Sequence, residues 1–117
     1  MKAWLINPFD RTITEVEHNG DYRHIYTLID CDTFDCVRFS DNGDAIYVDD
    51  EGLLKDLSKQ QFFALPSIFP ESAYAGKGLV LGVDGAGDTV APDTSLDEMK
   101  KLVVFMTSLE VYVKFAG

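Results

Sequence analysis

The residues of this chain that suggest chemistry gather in Gly76-Lys77-Gly78-Leu79-Val80-Leu81-Gly82-Val83-Asp84-Gly85-Ala86-Gly87-Asp88-Thr89, where glycines, a lysine and two aspartates surround a short apolar run. A phosphate-binding loop needs G-x-x-x-x-G-K followed by Ser or Thr, placed after a strand and opening a helix, because loop amides and the helix end bind the phosphates together. Here Gly78 follows Gly76-Lys77, and an apolar strand comes next. The order is loop, strand, turn. The dinucleotide pattern G-x-G-x-x-G fails as well, since Gly76, Gly78 and Gly82 are spaced one residue too widely and no helix follows. As a metal loop, Asp84 and Asp88 offer two carboxylates, but a calcium loop needs further oxygen ligands at alternate positions and a bidentate Glu at the twelfth, where this chain has Ser95.

Other near matches fail on spacing too. Asp30-Cys31-Asp32-Thr33 departs by one position from the D-x-D-x-T nucleophile pattern of haloacid-dehalogenase-type phosphatases. In an extended segment, one position moves a side chain to the opposite face. Cys31 and Cys36 with His18 and His24 make no zinc pattern, so the cysteines are expected to be ordinary reduced thiols and the histidines surface residues. No catalytic residue, metal site or cofactor is predicted.

The elements that position these residues follow from hydrophobic periodicity. Trp4-Leu5-Ile6 and Thr12 to Glu17 read as a strand pair, and Tyr22, Ile25, Leu28 and Ile29 share one face of a short helix begun at Asn19-Gly20-Asp21. Phe34 to Phe39 and Ala45 to Asp49 flank Asp41-Asn42-Gly43-Asp44, and Asn-Gly between β-rich runs is a strong hairpin signal. Leu53 to Leu65 suggests a helical turn or two before Pro66 and Pro70. Gly78 to Asp84 reads as a central strand, apolar on both faces, with Gly82 small because another element approaches it. Ser95-Leu96-Asp97-Glu98 is a capping box, and Met99, Leu102, Met106, Leu109 and Val113 trace one stripe of a long helix, although Leu109 to Phe115 also alternates as a strand would. Val104, Phe105, Val111 and Tyr112 lie off that stripe, which suggests a homodimer contact through the C-terminal helix. The expected fold is one α+β domain over residues 1–117, with an antiparallel or mixed sheet of about five strands packed by a long C-terminal helix and a short N-terminal helix.

Charge is the strongest compositional fact: 20 acidic against 10 basic residues leave a net −10. That opposes attraction to nucleic acids and anionic membranes, which select basic surfaces. Eight of the acids, Asp30, Asp32, Asp35, Asp41, Asp44, Asp49, Asp50 and Glu51, fall around the expected hairpin with only Arg38 among them. Same-face strand residues repeat every roughly 6.6 Å, so such a comb of carboxylates would imitate a row of backbone phosphates. The first reading is therefore a non-enzymatic protein whose acidic surface engages a basic protein partner. An alternative is a small-molecule site, nucleotide-like, made by Lys77 with the amides around Gly85 and Gly87, and a third is metal-dependent hydrolysis at Asp84 and Asp88. The start, Met1-Lys2-Ala3-Trp4-Leu5-Ile6 running at once into Asn7-Pro8, has no secretory apolar region, and no run approaches the roughly 20 residues of a membrane span. A cytoplasmic protein is expected.

The layout is also familiar. A strand pair, a short helix, a hairpin leading into Tyr47-Val48-Asp49-Asp50-Glu51-Gly52-Leu53-Leu54, the Gly76 to Asp84 segment and a capped C-terminal helix together resemble an uncharacterised family of small acidic proteins encoded by phages and mobile elements, over roughly residues 2 to 106. The resemblance carries no activity over to any residue. It implies an accessory protein in the cytoplasm of an infected or plasmid-bearing bacterium, binding and modulating host machinery such as a nucleic-acid-processing or defence protein.

Overall fold

The apolar run Leu79-Val80-Leu81 has no polar face to offer water, so it must be covered on both sides. It is. A computed structural model describes residues 1–116 and gives β1 (Lys2–Asn7), β2 (Thr12–Glu17), α1 (Arg23–Leu28), β3 (Phe34–Arg38), β4 (Ala45–Asp49), a single 3-10 turn (Gly52–Leu54), β5 (Gln61–Ala64), β6 (Tyr74–Ala75), β7 (Gly78–Val83), β8 (Thr89–Val90), α2 (Leu96–Leu102), β9 (Val104–Thr107) and α3 (Ser108–Ala116). The main sheet runs β2-β1-β7-β4-β3, with β8 paired to the end of β7, and a smaller sheet runs β6-β5-β9. All pairings are antiparallel. The α+β class and the central place of β7 agree with the sequence.

Strand alternation sorts the core into layers. On one face, Ala3, Leu79 and Leu81 pack under Ile25 of α1 and under Ile29 and Cys31, which follow it. On the other, Trp4, Ile6, Ile46, Val48 and Val80 meet Phe63 of the smaller sheet, Leu65 just after it and Met99 from α2. Phe62, Ala64 and Met106 face away from that core, and Val111 of α3 packs over them. Trp4 fixes the edge of the second layer by donating its indole N–H to the Thr94 carbonyl at 2.7 Å.

The long C-terminal helix is not formed. The Ser95 hydroxyl accepts the Glu98 amide as expected, while the Glu98 carboxylate takes the Ser95 hydroxyl proton instead of its amide. The helix then ends at Leu102 with Val103 as its cap, and Val104-Phe105-Met106-Thr107, bulky and partly β-branched, continue as a strand against β5. A second box restarts it: Thr107 Oγ1 accepts the Glu110 amide and Glu110 Oε1 accepts the Thr107 amide, both at 3.2 Å. Leu109 to Phe115 is thus helix, not strand, and it leaves Leu109, Tyr112 and Val113 exposed. Of the helical turn or two expected within Leu53 to Leu65, only the 3-10 turn Gly52–Leu54 forms. Gln61-Phe62-Phe63-Ala64 is a strand because its aromatics are buried on opposite faces, which a single sheet position between two layers allows.

Two local features carry consequences. At Gly82, an added Cβ would lie 2.8 Å from the Ala91 carbonyl oxygen and 3.1 Å from Asp44 Oδ1, so the close approach inferred from sequence is present. His18, expected at the surface, is 1% exposed and stacks on His24 at 5.3 Å between ring centroids. Its Nδ1 accepts the Gly20 amide, and its buried Nε2 has no partner. Burial chiefly, with the neighbouring His24 and the amino-terminal ammonium, holds the His18 pKa below the ordinary imidazole value.

Replacing Gly82 with Ala should cost about 1–3 kcal/mol, read from the urea midpoint, because backbone cannot yield as a flexible side chain would. His18 makes stability pH-dependent. A base whose pKa is depressed on folding is protonated more readily in the unfolded chain, so its contribution is complete above the unfolded value of about 6.5 and is lost as pH falls below it. The thermal midpoint should drop between about pH 7.5 and pH 5.5, and His18→Leu should flatten that drop; equal slopes in both proteins would exclude this origin.

Candidate functional site

The structure divides the eight hairpin acids into three sets: two enclosed, five exposed about the outer strand, and Asp30 at a cleft. Asp44 is 1% exposed, and its carboxylate accepts the backbone amides of Asp93 at 3.1 Å and Thr94 at 2.7 Å. It positions the loop that leads into α2. The Asp49 side chain is 2% exposed, pairs with Lys55 Nζ at 2.6 Å and accepts the Glu51 amide at 2.9 Å. These two residues therefore leave the surface to which the sequence assigned them. Their carboxylates satisfy buried amides and an ammonium, and a carboxylate so enclosed is tolerated only when it is paired.

Asp32, Asp35, Asp41, Asp50 and Glu51 remain exposed. They do not form a regular comb. Along β3 one face carries Phe34, Cys36 and Arg38 and the other Asp35 and Val37, so neither face repeats a carboxylate at two-residue spacing. What they border is a strand edge. β3 ends the main sheet, paired on one side to β4. Asp50 N–H donates to the Thr33 carbonyl and Phe39 N–H to the Asp44 carbonyl, so in the alternating antiparallel ladder the backbone groups of Phe34, Cys36 and Arg38 point outward. The Asp35 carboxylate takes the Cys36 amide at 2.9 Å. The amides of Phe34 and Arg38, and three carbonyls, are presented along that edge.

The eighth acid, Asp30, belongs to a cleft of about 370 Å³ at one end of the main sheet. It follows α1 with φ 55, in the left-handed position that closes a helix: Cys31 N–H reaches back to the Tyr26 carbonyl. Lys77 Nζ meets its carboxylate at 2.5 Å, and Lys55 Nζ meets its carbonyl at 2.9 Å. Asp49, Gln60, Gly76, Phe9 and Asp10 complete the lining. Gln60 is held by its amide on the Gly52 carbonyl at 2.7 Å, and the Asp49 carboxylate holds the Lys55 pKa above its ordinary value. Cys31 lies close by, but burial and then the Asp49 charge push its thiol up to about 11, which removes it as a nucleophile near neutral pH. Neither Cys31 nor Cys36 is in a disulfide.

Lys77, Gly85 and Gly87 are not brought together. Lys77 precedes β7 and the two glycines follow it, so the length of that strand, roughly 20 Å at 3.3 Å per residue, lies between them. The Gly87 amide donates to the Asp84 carbonyl, and Asp84 Oδ1 accepts the amides of Ala86 and Asp88 at 2.9 and 3.0 Å. That loop is the turn of the β7–β8 hairpin. Sequence reasoning missed Lys55, Gln60 and Phe9, which carry no local signal because two distant segments, the β1–β2 turn and the connection before β5, bring them to the cleft.

The two cleft lysines are not equivalent. Lys55→Met strands a buried carboxylate and should lower stability by roughly 3 kcal/mol. Lys77→Met frees Asp30, whose side chain is already 67% exposed, and should cost less than about 1 kcal/mol. Urea titrations of the two variants read this difference, and equal losses would show that Asp49 does not depend on Lys55.

Among the described residues, no group of three or more His, Cys, Asp or Glu side chains is placed to hold a metal ion, and no helix is long and apolar enough to cross a membrane. No curated protein and no solved structure matches the chain. One family model does, over residues 1–104, from β1 to the first residue of β9. It thus takes in the whole main sheet, the edge of β3 and the cleft, and the chain belongs to the family described as a domain of unknown function, DUF3846.

Proposed function

We propose that this domain is a non-enzymatic binding protein that uses the acidic edge of β3 to engage a basic, extended segment of another protein. The carrying observation is that an unpaired strand edge coincides with the exposed carboxylates Asp32, Asp35, Asp41, Asp50 and Glu51. An exposed edge supplies main-chain hydrogen bonds to an added strand, and side chains beside it select the partner. Carboxylates select lysine and arginine. They also disfavour a second copy of this chain, because two acidic edges brought together repel.

A partner that handles nucleic acid offers the matching chemistry, since its surface is already basic. The family resemblance supplies the setting, an accessory protein made in a phage-infected or plasmid-bearing bacterium and acting on a host protein there. Catalysis plays no part in this reading: burial pushes the thiol of Cys31, beside the cleft, up to about 11, and the Asp84 carboxylate is engaged in holding the β7–β8 turn.

The test excludes Asp44 and Asp49, whose reversal would disrupt the fold. Asp35→Lys, Asp41→Lys and Asp50→Lys together should leave each site's stability within about 0.5 kcal/mol, as exposed positions do. Affinity capture from the native host should retain a basic protein at low salt. Raising salt should release it, because the Debye length is only about 8 Å at physiological ionic strength, and the triple variant should not retain it. Retention that is indifferent to both salt and variant would overturn the reading.

A further inference from the structure

The cleft beside Asp30 holds two ammoniums that its own acids do not saturate. Lys55 Nζ donates to Asp49 Oδ2 and to the Asp30 carbonyl, which uses two of its three N–H groups. Lys77 Nζ donates to Asp30 Oδ2, which uses one. Three N–H groups therefore remain, on side chains that enter from different segments and meet on one residue. Lys77 is also sheltered, with 24% of its side chain exposed.

Asp30 takes the left-handed position that closes the helix, which aspartate tolerates better than most non-glycine residues. Its side-chain carboxylate secures Lys77, and its main-chain carbonyl, placed by that left-handed turn, secures Lys55. Of the other acids of the lining, Asp49 is paired with Lys55 and the Glu51 amide, while Asp10, exposed and still charged, accepts the neutral Asn7 side-chain amide at 3.1 Å. Next to Lys77, Gly76 has φ 85 and no atom within 4 Å of where a Cβ would sit, so no side chain crowds the cleft there, while its amide is held by the Gln61 carbonyl at 2.9 Å. Phe9 stands half exposed at the lip, on a turn braced by Asn7 Oδ1, which accepts the amides of Phe9 and Asp10.

Two ammoniums held by one residue and an aromatic ring at the lip, around a space within the usual 300–1,000 Å³ range of small-molecule pockets, define the ligand chemistry. We propose that the cleft binds a small phosphate monoester with a planar body, its phosphate on Lys55 and Lys77 and its ring against Phe9. The phosphate accepts the unused ammonium N–H groups as charge-assisted hydrogen bonds, and the ring covers the apolar surface at the lip. This site is separate from the edge of β3 and does not rest on the protein-binding reading.

AMP is a suitable probe, with adenosine and inorganic phosphate as its two halves. In amide NMR spectra of the full chain, AMP should shift Asp30, Lys55, Gly76 and Lys77 at concentrations up to about 10 mM, more strongly than either half. Lys77→Met should weaken AMP about tenfold or more while leaving the urea midpoint nearly unchanged; Phe9→Ala should weaken AMP but not phosphate; Lys101→Met, on the exposed side of α2, should change nothing. Lys55 is avoided as a test because its loss would strand Asp49. The proposal is overturned if AMP causes no shift, if adenosine alone shifts the same amides equally, or if Lys77→Met binds AMP as the parent protein does. None of these results bears on capture through Asp35, Asp41 and Asp50.

Discussion

Covering β7 on both faces is the constraint from which the other parts of this molecule take their places. A strand with buried side chains from Gly78 to Gly82 demands a strand on each edge and a layer on each side. β1 and β4 supply the edges, α1 one layer, and the smaller sheet with α2 the other. The second layer comes closest at Gly78, where an added Cβ would lie 2.7 Å from the tip of the Phe63 ring. The small sheet can sit that low only because β7 has no side chain there. Phe63 then fills the space, and β5 becomes an interior strand with α3 on its far side.

The same crowding explains why a chain with 20 acids buries two of them. The loop ahead of α2 must close over the end of β7, and its amides at Asp93 and Thr94 are taken out of water in doing so. Asp44, one residue before β4 begins, answers both with one carboxylate. Asp49, at the other end of β4, answers the Glu51 amide and Lys55. In each case the charge is retained because removing one partner would leave the other buried and unsatisfied, a loss larger than the net worth of the contact. Acid content is thus divided by place: carboxylates at both ends of β4 build the fold, and those on the outer strand and its turns face solvent.

Local signals in the sequence located the elements whose neighbours are near in the chain. The β1–β2 and β3–β4 pairs, α1 and the buried β7 were legible from alternation, turn residues and the unbroken apolar run. The long C-terminal helix was misread because Met99, Leu102, Met106, Leu109 and Val113 satisfy helical spacing, whereas Thr107-Ser108-Leu109-Glu110 repeats the capping pattern of Ser95 to Glu98 and marks a restart. That signal was available. No comparable signal marked β5, since Phe62 and Phe63 become strand residues only when β6 and β9 arrive to pair with them. The cleft was partly visible: Asp30, Asp49 and Lys77 were singled out, but in separate hypotheses, and their meeting depends on where α1 ends against β7.

Sequence position and surface position diverge most sharply at Asp49, Asp50 and Glu51. In the chain they are one acidic run. In the fold, Asp49 lies on the face of β4 covered by α1, and its side chain turns toward Lys55 and the cleft; Asp50, one residue later, is turned outward beside the edge of β3. A two-residue strand repeat is sufficient to separate them. Acidic density along the chain is therefore a poor measure of acidic density on the surface when the run crosses the end of a strand. The better measure is parity: residues whose strand neighbours face the core will be buried, and a carboxylate there needs partners of its own. Applied to the hairpin, parity alone removes Asp49 from the solvent-facing set, and the packing of the loop before α2 removes Asp44. Of the six acids that remain, Asp30 pairs with Lys77 at the cleft and the other five are grouped about one free backbone edge, which makes that edge, more than the total charge, the feature that gives the surface a direction.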